Sequence, residues 1–272
     1  MGIAQDKLGV KIGLDESVAS ARISRYESGV HEPPIKTARD IAHALDVPLG
    51  YRWFRIQLPA RARDLAGLVA TCSFDSTSQS GFAHVPGGVG GNSYRFLWRS
   101  RVVVTRLDAE GAPTYEQIES ISFTDFALVA IADLTFLRIE NPSRNVRDLL
   151  NALETLVGMG FTVKPVIFDK GQPSTVFRSV DASKLVGLKV VGAVVADDLV
   201  ARMEFASKEG MVLENMAILD GLKYKVEHAV FELVLGGLKG QIAFAANGTV
   251  KISGQVAPKL VGLVEQDLHL FV

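Results

Sequence analysis

The segment QDKLGVKIG, residues 5–13, followed by LDESVASARISRYESG, residues 14–29, decides the fold of the first part of the chain. In the first segment Leu8 and Ile12 are one helical turn apart and therefore lie on one face. Gly9 stands beside Leu8, at a point where a second helix can come close. The pattern predicts a short helix, a tight turn and a second helix that starts in a new direction.

The second predicted helix has two different faces. Asp15 can cap it, because a carboxylate accepts hydrogen bonds from the free backbone N–H groups of a first turn. One face is apolar and follows Ala19, Ile23 and either Tyr26 or Glu27. The other faces carry short hydroxyls or a long cationic arm, on Ser17, Ser20, Ser24 and Arg25. Small side chains let a helix approach base edges and arginine binds guanine or phosphate, so this pair is typical of a DNA-reading helix-turn-helix.

Three motifs follow in order: ISRYESG at residues 23–29, HEPP at 31–34 and ARDIAHALDVPL at 38–49. Through them the N-terminal region resembles the Cro/CI-type (XRE) helix-turn-helix repressors. The resemblance implies an all-α DNA-binding domain whose fourth helix begins at Pro34, where proline loses no helical hydrogen bond. The apolar residues of that helix would bury against the first two helices; they are Ile35, Ala38, Ile41, Ala42 and Leu45.

The resemblance also implies which residues contact double-stranded DNA. Gln5 would touch a phosphate. The base-reading residues would be Glu16, Ser17, Ser20 and Ala21, and those near the DNA backbone would be Arg22, Ser24 and Arg25. Repressors of this family generally bind as homodimers, because one recognition helix reads too few base pairs for useful specificity.

Basic residues are concentrated in the first quarter of the chain. Beside a recognition helix such residues favour phosphate contact. We therefore add Lys36 to the predicted DNA-binding residues. The other members of this basic group are Arg22, Arg25, Arg39, Arg52, Arg55, Arg61 and Arg63.

Two features depart from the family pattern. The stretch from Gly13 to Ile23 is roughly one helical turn longer than is common. In addition, residues 1–2 lead directly into the family's second helix, with no counterpart of the first. Either the translation start has been placed too far downstream, or another segment of the chain covers that part of the core. Two segments could cover it, residues 65–69 or residues 53–54.

Composition limits the class of protein. A chain of 272 residues allows one large or two ordinary domains, and a hydrophobic content of 48% is enough for a real core. The formal net charge of -1 excludes a protein that coats nucleic acid along its whole surface. Any contact with DNA must therefore be local.

A single cysteine, Cys72, excludes an internal disulfide framework and a cysteine-rich metal site. The first residues are polar and no apolar run approaches a membrane span, so we expect a cytoplasmic protein without a membrane partner. The five histidines are not at metal-ligand spacing and no serine-hydrolase motif is present. We expect no metal, no cofactor and no enzymatic activity.

The remainder of the chain predicts an α+β fold with antiparallel sheets. Residues 1–70 form the helix-turn-helix domain and a connector, and the Ser- and Gly-rich residues 71–93 read as a linker or loop. Residues 94–272 form a β-rich domain with subunits near 94–180 and 181–272. An amphipathic helix is expected to end at Gly158, and Asn247-Gly248 predicts a hairpin with a type I′ turn. Residues 268–272 read as a strand.

Four arginines interleave with apolar residues in one predicted strand: Arg95, Arg99, Arg101 and Arg106. They could form a nucleic-acid surface with Trp98 as a stacking platform. A half-buried strand with a polar outer face explains them as well. The sequence leaves both interpretations open.

Two functions remain. The first is a sequence-specific transcriptional regulator, a repressor by resemblance, whose C-terminal domain mediates self-association or binds a protein or small ligand. The second is an effector or partner-binding protein of a defence or toxin-antitoxin system, in which the N-terminal helices only dock or autoregulate. The serines and arginine of the recognition helix favour the first function, and the missing first helix favours the second.

Overall fold

The computed structural model describes residues 4–12, 14–27, 37, 41, 45, 47–62, 64–86, 92–107, 111–142, 146–168, 172–196 and 199–272. The chain divides into two compact units. We call Met1–Trp53 with Lys164–Val272 the discontinuous unit, and Phe54–Val163 the middle unit. Helices at the N-terminus precede extensive antiparallel β-structure, which confirms the predicted α+β class.

The N-terminal region contains the two predicted helices, α1 (Gln5–Lys11) and α2 (Glu16–Glu27). Leu8 and Ile23 are buried between them, and Ile41 packs against this pair as predicted. Leu45, by contrast, is 43% exposed. Of the other expected fourth-helix residues, Pro34, Ile35, Ala38 and Ala42 lie outside the described residues.

The middle unit contains an antiparallel sheet in the order β2-β3-β4-β5. Helix α3 (Leu65–Thr71) precedes the sheet and helix α4 (Val146–Val157) follows it. The four strands are β2 (Ser80–His84), β3 (Ser93–Leu107), β4 (Pro113–Ile131) and β5 (Leu134–Glu140). The unit also holds the short 3₁₀ turn Ala60–Ala62.

One face of this sheet is the core of the middle unit. Phe82, Phe96 and Phe126 stand on neighbouring strands, and their rings are in contact. The apolar stripe of α4 packs on them, and Gly158 follows the helix with φ +79°, as the predicted C-terminal stop requires. Leu65 and Val69 belong to this core.

Part of the predicted linker is ordered sheet. Strand β2 falls within residues 71–93, since Phe82 lies opposite Phe96 in the register of β2 and β3. Gly81 fits there because a Cβ would meet the backbone of Phe74. Residues 87–91, which hold the glycine cluster of this segment, lie outside the described residues. The predicted domain limits at residues 70 and 93 stay predictions, and the compact units divide elsewhere, inside β1 (Leu49–Gln57) and β6 (Thr162–Pro165).

The discontinuous unit contains the second sheet region, in the order β1-β11-β10-β9-β7-β8. The first residues of β1 pair with β11, where Leu49 lies opposite Ile252. The strands are β7 (Ala182–Ala196), β8 (Leu199–Met211), β9 (Lys225–Leu235), β10 (Leu238–Ala245) and β11 (Thr249–Gly254). The helices that accompany them are α5 (Ser174–Ser179) and α6 (Ala257–Gln266), and short 3₁₀ turns occur at Leu213–Asn215 and Ala217–Leu219.

The predicted hairpin between β10 and β11 is confirmed, but its turn differs. A type I′ turn needs positive φ at two residues, whereas only Gly248 of this turn has one, at +82°. The Asn247 side chain instead accepts a hydrogen bond from the N–H of Thr249 at 3.0 Å. The connection therefore has the three-residue form in which glycine takes the last, left-handed position.

The C-terminal end corrects a second expectation. Residues Leu268–Phe271 form a 3₁₀ helix and not a strand. Leu268 is buried, and Asp267 accepts hydrogen bonds from the backbone N–H of Thr175 at 2.7 Å and from its hydroxyl at 2.6 Å. These hydrogen bonds tie the end of α6 to the start of α5.

Candidate nucleic-acid interface

The site is built on the close approach of α1 and α2. A Cβ placed on Gly9 would lie 2.5 Å from the Cβ of Ala19 and 2.9 Å from its Cα. Ala19 is itself fully buried. The turn is equally tight, because the N–H of Leu14 donates to the carbonyl of Gly9 at 2.9 Å. Glycine facing alanine is thus the reason that the two helices can meet.

Asp15 caps α2 as predicted. Its carboxylate accepts the backbone N–H of Ser17 at 2.9 Å and also the hydroxyl of Ser17. These hydrogen bonds hold the pKa of Asp15 below its usual value, with the hydroxyl of Ser17 as the main cause. The predicted base-reading hydroxyl of Ser17 is therefore already engaged in the cap.

The outer face of α2 is made of small side chains. Ala19 and Ile23 are buried and Tyr26 is half-buried, whereas Glu27 is exposed, so Tyr26 continues the apolar face. At about 100° per residue, Ser17, Ala21 and Ser24 lie opposite that face. All three of these residues are exposed. The exposed residues Ser20, Arg22 and Arg25 flank them.

Three predicted DNA-contacting residues have side chains outside the described part of the structure. Gln5 is the first residue of α1 and Glu16 is the first of α2, but only their backbones are described. Lys36 lies outside the described residues. Of the other basic residues, Arg52 and Arg55 are half-buried on β1 and not on the helix pair. The side chains of Arg39, Arg61 and Arg63 also lie outside the described residues, so phosphate contact by this basic group stays a prediction.

Sequence reasoning missed one residue of this surface. Val18 lies on the outer side of α2 and is 43% exposed. An apolar side chain on a groove-reading helix can contact the methyl group of thymine. The sequence could have predicted this position. Val18 directly precedes Ala19, and adjacent residues of a helix do not lie on the same face.

Trp98 and two of the four arginines of β3 make contacts within the middle unit. Trp98 stacks on Phe96 at a ring distance of 5.4 Å and packs against the core of the middle unit. Arg95 is bound by Asp125 through two hydrogen bonds of 2.7 Å and 3.1 Å. The side chain of Arg99 donates to the carbonyl of Ser78 at 2.9 Å. These contacts support the half-buried strand with a polar outer face.

The discontinuous unit carries a cavity of about 660 Å³ on its sheet. One row of residues crosses four strands there: Lys184, Glu232, Gln241 and Ser253. Lys184 and Glu232 form an ion pair of 2.9 Å. Pro48, directly before β1, and Lys239 also line the cavity. Two lysines and one glutamate leave this lining with an excess of positive charge.

Among the described residues, no group of three or more His, Cys, Asp or Glu side chains could hold a metal ion. No helix in the described part of the chain is long and apolar enough to cross a membrane.

The comparisons with known proteins concern the N-terminal region alone. Residues 1–52 match the family model described as helix-turn-helix. No curated protein matches the chain. The match covers α1 and α2 and supports a DNA-binding regulator in general. The N-terminal region of this chain is thus similar to the XRE-type helix-turn-helix family, as its sequence indicated.

Proposed function

We propose that this protein is a sequence-specific DNA-binding repressor whose α2 enters the major groove. The observation that supports this proposal is the exposed face of α2, where Ser17, Ala21 and Ser24 are small enough for close approach to base edges. Ser20 and Val18 flank this face and would add a hydroxyl contact and an apolar contact. The protein would act in the cytoplasm, on DNA near its own gene.

The basic residues of α2 would orient the helix. Arg22 and Arg25 lie to one side of the small-residue face, at a spacing of about one turn. Phosphate contacts fix the register of a protein on the duplex, whereas contacts to base edges specify sequence. We therefore assign Arg22 and Arg25 to the DNA backbone, and Ser20, Ala21 and Ser24 to the bases.

The test is selection of duplexes from a random-sequence library by the full chain at low salt, followed by titration of the enriched duplex. We expect one sequence family with two half-sites about 10 base pairs apart, because one helix reads too few base pairs. Arg25→Ala should reduce the slope of log affinity against log salt by about one, as loss of a phosphate contact does. No enrichment at low salt would contradict the proposal.

DNA binding by a regulator is often controlled by a ligand, and the cavity of the discontinuous unit could bind one. Its positive lining fits a small anion with carboxylate or phosphate groups. Pro48, which lines the cavity, belongs to the short segment between the helix-turn-helix residues and β1. A ligand there would touch the connection to the DNA-binding region, which supports a sensing role.

Inorganic phosphate is a simple probe of this role. We expect millimolar phosphate to raise the melting temperature of the parent protein above that in chloride of equal ionic strength. Gln241→Trp, which fills the cavity from an exposed strand position, should remove the increase. The matched control Gln57→Trp, at an exposed position of β1 outside the cavity, should keep it. An equal response of all three proteins would contradict anion binding in the cavity.

A further inference from the structure

The hairpin formed by β3 and β4 carries a large exposed apolar face. Its strands pair continuously from Ser93 opposite Ala127 to Leu107 opposite Pro113. The described pairing of β2 reaches Trp98, and that of β5 reaches Asp125. Among the described residues, residues 99–107 of β3 therefore pair with no strand except β4. Residues 113–124 of β4 likewise pair with no strand except β3. This part is a two-stranded ribbon, which we call the arm.

The two faces of the arm differ. Side chains of a strand alternate between faces, so odd-numbered residues of both strands share one face. On this odd face Val103 is 57%, Leu107 70% and Tyr115 71% exposed. Ile121 and Phe123 extend the same face and are about half exposed. On the even face, the large exposed apolar residues are Val102 and Ile118.

Charge on the arm is separated by strand. Residues 99–107 of β3 contain three arginines and no acidic residue, and residues 113–123 of β4 contain two glutamates and no basic residue. On the odd face, Arg101 lies directly opposite Glu119 in the register, and Glu119 also forms an ion pair of 3.5 Å with Arg99 of the same chain. The odd face therefore carries Arg99 and Arg101 on β3 and Glu119 on β4, with apolar residues toward both ends.

We propose that the odd face of the arm is a dimer interface that binds the same face of a second copy of this chain. A two-fold axis parallel to the strands places β3 of one copy over β4 of the other. Arg101 then faces Glu119 of the partner subunit, and the same contact recurs on the other side of the axis. The alternative axis, perpendicular to the strands, would place arginines on arginines. Charge complementarity thus selects the first arrangement, with both tips pointing the same way.

The same register covers the exposed side chains near the end of the arm. Tyr115 would cover Thr105 of the partner subunit, and Leu107 would lie against the partner's Pro113. Nine residues of strand give a face roughly 30 Å long. A two-stranded face of this length is smaller than the ~800 Å² per partner of a typical stable interface. The dimer should therefore dissociate at micromolar concentration.

The biological role of this dimer rests on the proposed function, because a dimer would supply the two α2 helices that adjacent half-sites require. The test needs no DNA, so the two proposals can fail separately. A chain that dimerises through the arm without binding DNA would contradict the function alone. A chain that binds DNA and stays a monomer would contradict this inference alone.

The experiment measures the mass of the full chain by light scattering from 1 to 200 μM. Variants Arg101→Glu and Glu119→Arg each place like charges opposite one another in the dimer. In an equimolar mixture of the two, every contact between the copies pairs opposite charges again, while the pair within each chain stays like-charged. Circular dichroism and melting temperature report whether each variant is folded.

We expect the parent mass to rise from 29.3 kDa toward twice that value with concentration. Each single variant should weaken dimerisation at least tenfold, and the mixture should recover a dimer. The matched control Arg106→Glu, on the even face, should leave dimerisation within twofold of the parent. A parent that remains a monomer to 200 μM, or two folded variants whose mixture does not associate, would overturn the proposal.

Discussion

Gly9 of α1 lies so close to Ala19 of α2 that a single added carbon would reach within 2.5 Å of the alanine Cβ. No flexible side chain can move away here, because the second near atom is the Cα of Ala19 itself, at 2.9 Å. The distance between the two helices is therefore set by the absence of one side chain. The outer face of α2 depends on that distance, because the buried face fixes the orientation of the helix.

Gly9→Ala should loosen the helix pair. Alanine favours a helix over glycine by up to about 1 kcal/mol. Overpacking of a tight contact costs about 1–3 kcal/mol. Because the added Cβ meets the backbone of Ala19, the overpacking cost should exceed the gain in helix propensity. We therefore expect faster amide hydrogen exchange over residues 5–27 and weaker DNA binding.

Gly262→Ala is the matched control for that substitution. Gly262 lies within α6, and a Cβ there would meet no atom within 4 Å. The helix-propensity gain should then appear alone, as a stabilisation of up to about 1 kcal/mol in denaturant unfolding. If both alanine variants behave alike, the close contact of Gly9 with Ala19 is not as described.

Asp15→Ala should destabilise the start of α2, because the N–H of Ser17 loses its acceptor. Asp15→Asn should retain most of the cap, since asparagine is an equally good N-cap residue. Backbone NMR shifts of residues 16–20 would show the difference between the two variants. Equal fraying in both would indicate that the charge of Asp15, and not the acceptor, stabilises the helix.

Asp75 should titrate far below an ordinary aspartate. The hydroxyl of Thr77, at 2.8 Å, is the main cause that lowers the pKa of Asp75 from 3.8 to about 2, and Ser78 adds to it. Because the folded pKa is lowered, the carboxylate stabilises the loop above about pH 4 and loses that effect as pH falls toward 2. A carboxyl-carbon NMR titration with a midpoint near 3.8 would contradict this arrangement.

Local patterns predicted the N-terminal region well. Leu8 and Ile23 are buried, Asp15 caps α2, and the helix pair matches the expected family. These features depend on residues close in sequence, so periodicity and capping chemistry contain the information. The choice between Tyr26 and Glu27 needed the structure, since both fit the period of α2.

Features that depend on distant residues were harder to predict. Phe82 pairs with Phe96 across a loop, so its short strand was hidden in a segment rich in Ser and Gly. The sequence KLVGL occurs twice and adopts two different structures. The copy that begins at Lys184 lies in β7, and the copy that begins at Lys259 lies in α6. Five residues do not determine secondary structure when packing partners differ.

Gly248→Ala tests the corrected hairpin turn. A Cβ on Gly248 would fall onto the carbonyl oxygen of Val166, and the residue has φ +82°. We expect a larger loss of stability than for Gly237→Ala, where φ is +75° but no atom lies within 4 Å of the added Cβ. The Gly237 change should cost about 1–2 kcal/mol from the left-handed backbone alone. Equal losses in denaturant unfolding would contradict the contact with Val166.

The affinity of the selected duplex for the Ser20→Glu variant tests the DNA-reading role of α2 most directly. Glutamate on this exposed position would face phosphates and base acceptors, so we expect at least a tenfold loss of affinity with unchanged folding. The control Asn151→Glu adds the same charge to an exposed position of α4 and should bind within twofold of the parent. Equal affinity of the parent and both variants would contradict the assignment of α2 as the recognition helix.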